Sequence, residues 1–167
     1  MDLLEGLQTR RSIRTYADQP VTREQLREII RLGTMAPSGM NNQPWRFVTI
    51  QKKETLQKLA LLTKYSHILG KAAACIIVFV DKTAMYHDVK DHQSMGACIQ
   101  NLLLASHGMG LGAVWLGEIL KSAKEVRELC GLSNDMELMA VVSLGYPAGK
   151  GGKADRRPVE EVLLKEL

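Results

Sequence analysis

An arginine-rich segment near the start of the chain has the residue types that bind a phosphate group. Residues 10–14 read R-R-S-I-R. If this segment is extended, Arg10, Ser12 and Arg14 share one face, and Arg11 and Ile13 point the other way. Guanidinium groups offer forked, permanently charged donors that match phosphate oxygens, and a serine hydroxyl adds one more donor. A solvated basic stretch is the alternative interpretation of these five residues alone.

A second polar segment, residues 37–45, has a different chemistry. Its turn-forming residues are Pro37, Ser38, Gly39, Asn41, Asn42 and Pro44. Gly39 would let a ligand or another backbone approach closely. Gln43 and the two asparagines offer donors and acceptors together, which suits the edge of a heterocycle better than a bare phosphate. An ordinary structural loop is the alternative.

Length and composition predict one soluble globular domain over residues 1–167. A chain of 167 residues is large enough to bury its own core. Hydrophobic residues make up 46% and charged residues 24%, which is ordinary for a globular protein. The longest apolar stretch, residues 72–80, is too short to span a bilayer, so no membrane association is expected.

Charge and cysteine content narrow the class of partner. The net charge of +4 is scattered, apart from residues 10–14 and 150–157, whereas a nucleic-acid binder usually has a basic stripe with stacking aromatics. Such local positive fields suit small phosphorylated ligands. Cys75, Cys98 and Cys130 are odd in number and widely spaced, which predicts neither a disulfide framework nor a metal site. A reducing cytoplasm fits this usage best.

Hydrophobic periodicity predicts helices that alternate with strands. Thr22 to Gln25 form a capping box, with Val21 and Leu26 placed as a hydrophobic staple, for a helix that ends near Gly33. Strands are predicted at 45–50, 73–80, 113–116 and 138–146, and further helices at 56–63 and 93–107. Ser122 to Glu125 predict the cap of another helix, which stops at Gly131. The strand at 73–80 should be buried on both faces. The order predicts an α+β fold with a mixed central sheet wrapped by helices.

The helix predicted at residues 93–107 is apolar or small nearly all round, with Gly96, Ala97 and Ala105 among its members. Such a helix needs burial on every side. Burial within one subunit and packing against a second copy are both open on physical grounds.

Two further groups of residues favour structural interpretations. Gly108, Gly110 and Gly112 lie between a helix and a strand, the reverse of a dinucleotide-binding loop, so a helix end with a tight turn is predicted. His87 and His92 are five residues apart and do not share a helical face, so a solvated loop is predicted there, with no metal site.

The spacing of nucleophiles, histidines and carboxylates assigns no catalytic triad and no acid-base pair. No catalytic side chain is predicted, and the chemistry must come from a cofactor.

The two polar segments together resemble the FMN-dependent nitroreductase family. Its members are similar in having R-x-S-x-R near the N-terminus, then a helix, then P-S-x-x-N-x-Q-P-W leading into a strand. Matching residues here are Arg10, Ser12, Arg14, Pro37, Ser38, Asn41, Gln43, Pro44 and Trp45. The resemblance implies an α+β sandwich, FMN as cofactor and a homodimer with a composite active site.

The same resemblance implies roles for individual residues. Arg10 and Ser12, with Arg156 or Arg157, would hold the phosphate, and Lys153 is carried over from the same basic segment. Arg14 would lie near the flavin pyrimidine, the loop 37–41 would come from the partner subunit, and the backbone near Gly117 would face the flavin N5. The full expected set is Arg10, Arg11, Ser12, Arg14, Pro37, Ser38, Gly39, Asn41, Gln43, Leu116, Gly117, Arg156 and Arg157. Residues 65–71 do not match the polar pair that the family usually has in its middle third.

The implied activity is that of an FMN-dependent NAD(P)H oxidoreductase, which reduces nitro-aromatic or quinone-like small molecules by a ping-pong mechanism. A flavin or enone reductase and a reductive dehalogenase are alternatives on the same scaffold. A flavin-binding redox module without turnover is the rival from another class. The sequence specifies neither the physiological acceptor nor a preference between NADH and NADPH.

Overall fold

The computed structural model describes residues 2–167, which form a four-stranded sheet with helices on both faces. The helices are α1 (Leu3–Thr9), α2 (Arg23–Gly33), α3 (Lys53–Ala60), α4 (Ser66–Leu69), α5 (Asp88–Gly108), α6 (Ala123–Leu129) and α7 (Val159–Val162). The strands are β1 (Trp45–Ile50), β2 (Ala74–Asp81), β3 (Gly112–Leu116) and β4 (Met136–Gly145), in the spatial order β1-β2-β4-β3. The α+β class predicted from the sequence is confirmed.

Strand β2 lies in the middle of the sheet, and every one of its residues is buried. Successive side chains of a strand point to opposite faces, so alternate β2 residues feed two separate cores. Ile76 and Val78 pack with residues of α2 and α5, whereas Ile77 and Phe79 pack with residues of α3, α4 and α6. This arrangement confirms the prediction of a strand buried on both faces.

The sheet differs from the mixed sheet that we expected, because its three strand pairs are all antiparallel. Parallel pairing within residues 2–167 is limited to an isolated bridge between Ser12 and Ala113. Hydrophobic periodicity identifies a strand but carries no information about the direction of its neighbour. The direction is decided by the tertiary path of the helical connections.

The helix ends follow local sequence in most cases. The capping box of Thr22 and Gln25 is present, and Val21 and Leu26 of the predicted staple are both buried. At the end of α5, Gly110 has a φ of 75°, and the N–H of Leu111 donates to the carbonyl of Ser106, as in a Schellman motif. Helix α6 begins after Ser122 as predicted, but the Ser122 side chain makes no capping hydrogen bond.

The solvated loop predicted at residues 87–92 is wrong, because α5 begins at Asp88. Asp91 is completely buried, and its carboxylate accepts hydrogen bonds from the backbone N–H groups of Tyr86 and His87. These bonds satisfy N–H groups at a helix start, a local role that histidine spacing does not reveal. Among residues 2–167 no group of three or more His, Cys, Asp or Glu side chains could hold a metal ion.

One face of α5 remains incompletely covered within the single chain. Gly96, Ala97, Gln100 and Leu104 are only half-buried, and a Cβ added at Gly96 would meet nothing within 4 Å. On α1 the side chains of three leucines are exposed, namely Leu3, Leu4 and Leu7. In the described part of the chain, no helix has the length and apolar character needed to cross a membrane.

Candidate functional site

The arginine segment forms one wall of a small cavity at the β3 edge of the sheet. The N–H of Ile13 donates to the carbonyl of Ala113 at 3.0 Å, which holds the segment against β3. The cavity measures about 180 Å³ and is lined by Arg10, Arg11, Ser12, Arg14, Gly152, Lys153, Ala154 and Arg156. The structure therefore brings the N-terminal motif and the basic C-terminal segment together, although they are far apart in sequence.

Close packing fixes the position of this wall. The Ile13 side chain packs on β3, where a Cβ at Gly112 would lie 2.6 Å from it. A Cβ at Gly151 would clash with Arg11, so this glycine lets the C-terminal segment lie directly on the arginine motif. Contrary to the alternating pattern, Arg11 also lines the cavity, while its Nη1 donates to the carbonyls of Gln8 and Arg10.

Tyr16 anchors the end of the segment. Its hydroxyl is 2.6 Å from Ser143 Oγ and 2.9 Å from the carbonyl oxygen of Ile13. Burial raises the pKa of Tyr16 to about 12, so the hydroxyl stays neutral and can donate. A neutral donor in the interior ties the arginine motif to β4 without adding charge to the site.

The electrostatics of the cavity favour an anion. Burial and the neighbouring cations Arg156 and Arg11 lower the pKa of Arg10. Within residues 2–167, none of the cavity's four arginines, nor Lys153, forms an ion pair. Cations held together without carboxylates repel one another, and this repulsion destabilises the folded chain. A bound phosphate would offset the repulsion by forming charge-assisted hydrogen bonds. Arg157, the other predicted partner, is exposed and is not among the lining residues.

Arg14 also lines a second cavity, of about 190 Å³. The other lining residues are Tyr65, Val114, Trp115, Leu116, Gly117 and Glu118. Leu116 and Gly117 therefore lie next to Arg14 of the arginine motif. Tyr65 was not predicted, because nothing in its local sequence indicates that the segment after α3 folds back onto β3.

Glu118 holds Tyr65 at this cavity. Its Oε2 accepts hydrogen bonds from the Thr63 hydroxyl at 2.6 Å and from the N–H of Lys64 at 3.1 Å, and its carboxylate also pairs with Lys121. Lys121 and these donors lower the pKa of Glu118 to about 2. The carboxylate therefore joins the end of β3 to the segment that carries Tyr65.

The second predicted segment lies apart from these cavities. Pro37, Ser38 and Gly39 line a shallow cavity of about 300 Å³ with α5 residues and Tyr86, and no residue from 37 to 43 lines either cavity at Arg14. A Cβ at Gly39 would clash with the Tyr86 ring, so the predicted close approach is made by a side chain of the same chain. Within a single chain the structure does not unite the two halves of the predicted site.

The loop carries backbone strain. Met40, Asn41 and Gln43 have φ values of 53°, 56° and 47°, in the left-handed region that residues with a Cβ rarely adopt. Met40 is also 85% exposed. Strain of this kind concentrates at functional sites, where the surrounding structure holds it in place.

Sequence comparisons match the chain to known proteins. A family model described as "Nitroreductase family" matches residues 7–64 and 60–146. A provisionally named NADH dehydrogenase/NAD(P)H nitroreductase from Archaeoglobus fulgidus is 36% identical over 149 residues, covering 87% of this chain and 86% of the relative. The FMN reductase [NAD(P)H] of Bacillus subtilis is 30% identical over 183 residues, covering 99% and 74%.

A crystal structure points the same way. A provisionally named nitroreductase from Desulfovibrio desulfuricans, in complex with FMN, superposes with a TM-score of 0.94 at 44% identity, covering 100% of this chain and 98% of that one. The chain belongs to the nitroreductase family.

Replacing Glu118 should change how the stability of the protein depends on pH. The pKa of Glu118 is about 2 in the folded chain, against about 4.3 in an unfolded chain. Its ionised form therefore stabilises the fold above about pH 5, and that contribution is lost as the pH falls towards 2. We expect the melting temperature of Glu118→Gln to fall less steeply between these pH values than that of the wild type.

Thermal unfolding followed by circular dichroism across this pH range measures the effect. Glu128→Gln is the control, because Glu128 is exposed and lies 3.9 Å from its partner Lys124. Parallel curves for Glu118→Gln and the wild type would contradict the anchoring role of Glu118.

Proposed function

We propose that the protein is an FMN-dependent NAD(P)H oxidoreductase that reduces nitro-aromatic or quinone-like acceptors. The observation that carries this proposal is the unneutralised cationic cavity at the β3 edge, which shares Arg14 with the cavity at Gly117. Membership of the nitroreductase family and the FMN-bound relative from Desulfovibrio desulfuricans support the choice of cofactor. The name of the Bacillus subtilis relative supports NAD(P)H as the electron donor.

The donors fit one phosphate group and the pyrimidine end of a flavin. Arg10, Ser12 and Arg156 would hold the phosphate, with Lys153 and the remaining donors of Arg11 at the rim of the same cavity. Arg14 would lie beside the flavin pyrimidine, and the backbone at Leu116 and Gly117 would run along the flavin. Arg157 keeps a supporting role as a nearby exposed cation.

When bound, FMN would supply two-electron redox chemistry between NAD(P)H and a second substrate, which would bind in turn. The protein supplies position and charge. The Arg14 guanidinium would stabilise negative charge that develops on the flavin pyrimidine. Tyr65 and Trp115 line the same cavity as Arg14, and Trp115 is 42% exposed, so both can contact an aromatic acceptor. No side chain needs to act as a general acid or base.

We also propose a homodimer in which residues 37–41 and Gln43 complete the site of the partner subunit. The separation of this loop from both cavities at Arg14 supports a composite site. The half-buried face of α5 and the exposed leucines of α1 supply apolar surface for the interface. Met40, exposed at the tip of the loop, would be covered in the same assembly.

Two further expectations stand as proposals. The first is that residues 1–167 form one domain, and the packing of both cores on one sheet in the described residues 2–167 supports it. A cytoplasmic location is supported by the free thiols of Cys75, Cys98 and Cys130.

A flavin reductase is the alternative that a specific observation favours, because the Bacillus subtilis relative is named for FMN reduction. Enone reduction, reductive dehalogenation and a redox module without turnover require the same flavin site. A screen that follows anaerobic reoxidation of the reduced protein with each class of acceptor separates these activities.

The purified protein should be yellow and should release FMN, with no FAD, on denaturation. The cationic cavity can neutralise one phosphate group, and the sequence contains no adenosine-binding fingerprint. Chromatography of the released flavin identifies it, and oxidation of NADH or NADPH with a nitro-aromatic or quinone measures turnover. Recovery of FAD, or failure to take up added FMN, would overturn the cofactor assignment, and FMN without turnover would indicate a redox module.

Arg10 and Arg14 should serve different steps. Arg10→Ala removes a charged donor from the phosphate and should weaken FMN binding by about 1.5 to 3 kcal/mol. Arg14→Ala should lower the reduction potential of bound flavin and slow its reduction by NAD(P)H, because the anionic reduced form loses its counter-charge. Flavin titrations and spectroelectrochemistry measure the two effects.

Saturating FMN distinguishes the two variants, since it should restore the turnover of Arg10→Ala and leave Arg14→Ala slow. Arg23→Ala on α2 is the charge-matched control, because Arg23 lines neither cavity. Equal rescue of both variants would show that the two arginines do not have separate roles.

Ala97→Glu should separate the subunits and release flavin together. Ala97 is half-buried on α5, and a carboxylate forced into an apolar interface would stay unpaired. Sedimentation and flavin content measure the two losses, and Leu61→Glu, at a position 83% exposed, is the apolar-to-glutamate control. A monomer that still holds FMN would contradict the composite site.

A further inference from the structure

One buried carboxylate has no role in the site described above. Asp91 is completely buried in the first turns of α5 and forms no ion pair in the described part of the chain. Burial by itself raises the pKa of an aspartate, but hydrogen bonds from His87, Asn42 and Tyr86 outweigh it and lower the pKa of Asp91. The protein therefore keeps a negative charge in its interior by surrounding it with donors.

These donors come from two different segments. Asp91 Oδ1 accepts from the Asn42 side-chain amide at 2.7 Å, and Asp91 Oδ2 accepts from the N–H groups of Tyr86 at 2.9 Å and His87 at 2.8 Å. The same Asn42 amide donates to the carbonyl of Ala84 at 3.0 Å. With two acceptors around Nδ2, the orientation of the Asn42 amide is fixed, because the flipped group would place its oxygen against both of them.

The tie through Asn42 reaches a strained loop. Met40 and Asn41 precede Asn42 and Gln43 follows it, and all three have left-handed backbones. The Gln43 carbonyl also accepts a hydrogen bond from Arg46 Nη1 of β1 at 3.2 Å, but this bond does not reach α5. Other hydrogen bonds around these residues are internal to the loop, such as Gln43 N–H to Ser38 Oγ and Asn42 N–H to the Gly39 carbonyl. Local bonds move with the loop, so they cannot hold it against the helix.

Asp91 acts on the loop from a second side. By accepting from the N–H of Tyr86 it fixes the residue whose ring packs directly on Gly39. One buried carboxylate thus connects the start of α5, the turn at residues 84–87 and the loop 37–43.

We propose that Asp91 and Asn42 form a clamp that holds the loop 37–43 in its strained conformation, ready to complete the flavin site. Asp91 is then a positioning residue, since it acts through Asn42 and Tyr86 and lines none of the cavities at Arg14. The role of the loop in catalysis rests on the proposed function, whereas the clamp itself is a property of the folded chain. Preorganising a binding loop removes an ordering cost that ligand binding would otherwise meet.

Hydrogen exchange in the protein as purified tests the clamp, because the clamp is a property of the folded chain and does not require bound FMN. In Asp91→Asn one carboxylate oxygen becomes an NH₂ donor, so either Asn42 or the pair of backbone N–H groups loses its acceptor. We expect amides of residues 38–43 to exchange at least about tenfold faster, with little change at residues 95–103 of the α5 core. Asp88→Asn is the matched control, because it removes a charge from the same turn and its side chain is 81% exposed.

Asn42→Ala removes the loop's side-chain contact with Asp91 and leaves the hydrogen bonds from the Tyr86 and His87 N–H groups to Asp91 intact. This variant replaces Asp91→Asn in the test if Asp91→Asn does not fold. It should speed exchange in the same segment. Unchanged exchange at residues 38–43 in this variant would overturn the clamp, and so would an equal increase at residues 95–103, which would indicate a role in overall stability alone.

A kinetic readout links the clamp to catalysis. Whichever of Asp91→Asn and Asn42→Ala folds should lose about tenfold in kcat/KM for the acceptor. Neither residue lines the phosphate cavity. Altered exchange with unchanged turnover would refute the catalytic part of the proposal. Absence of FMN or turnover in the wild type would instead refute the proposed function and leave the exchange result standing.

Discussion

The burial of β2 on both faces is the constraint on which the other elements depend. A strand with two apolar faces must be covered twice, so α2 and α5 pack on one side of the sheet and α3, α4 and α6 on the other. The faces of the sheet are thereby used for stability. Polar chemistry is left to the edges and to the loops, and the cationic cavity lies at the β3 edge.

Concentrated positive charge at that edge is unfavourable unless an anion is present. Burial, together with the like charges of Arg156 and Arg11, disfavours the charged form of Arg10 and lowers its pKa. The fold supports this arrangement with neutral contacts, namely the Tyr16 hydroxyl on Ser143 and the close packing of Ile13 on Gly112. A negatively charged ligand would balance these cations, and an FMN phosphate, of the kind bound by the Desulfovibrio desulfuricans relative, is negatively charged.

In the loop at residues 37–43, the family motif is recognisable from the sequence, but the residue that connects the loop to α5 is not. The family pattern draws attention to Asn41 and Gln43 and treats the residue between them as variable. In the structure that residue, Asn42, makes the two side-chain bonds that connect the loop to Ala84 and Asp91. Its neighbours have strained backbones and exposed side chains, as expected of residues presented to another molecule.

The sequence by itself determined the elements with local causes. Propensity and periodicity account for the capping box at Thr22, the turn at Gly110 and the doubly buried β2. The two polar motifs were recognised by their side-chain chemistry, and these motifs were enough to identify the family. Two local interpretations were wrong. Residues 87–92 start a helix, and the Ser122 side chain does not cap one.

Only the tertiary structure decided what depends on contacts between distant segments. The direction of the strands, which are all antiparallel, is one example. Another is the position of Lys153 and Arg156 next to the arginine motif. A third is the hydrogen bonding of Glu118, which holds Tyr65 beside Arg14. The tertiary structure also separated the loop 37–43 from the cavities at Arg14. The family resemblance had implied that Arg156 or Arg157 joins the arginine motif and that the loop serves the partner subunit, but no local pattern in the chain indicates either. Each of these relations is fixed by the packing of helices on two faces of one sheet and by hydrogen bonds whose partners are not neighbours along the chain.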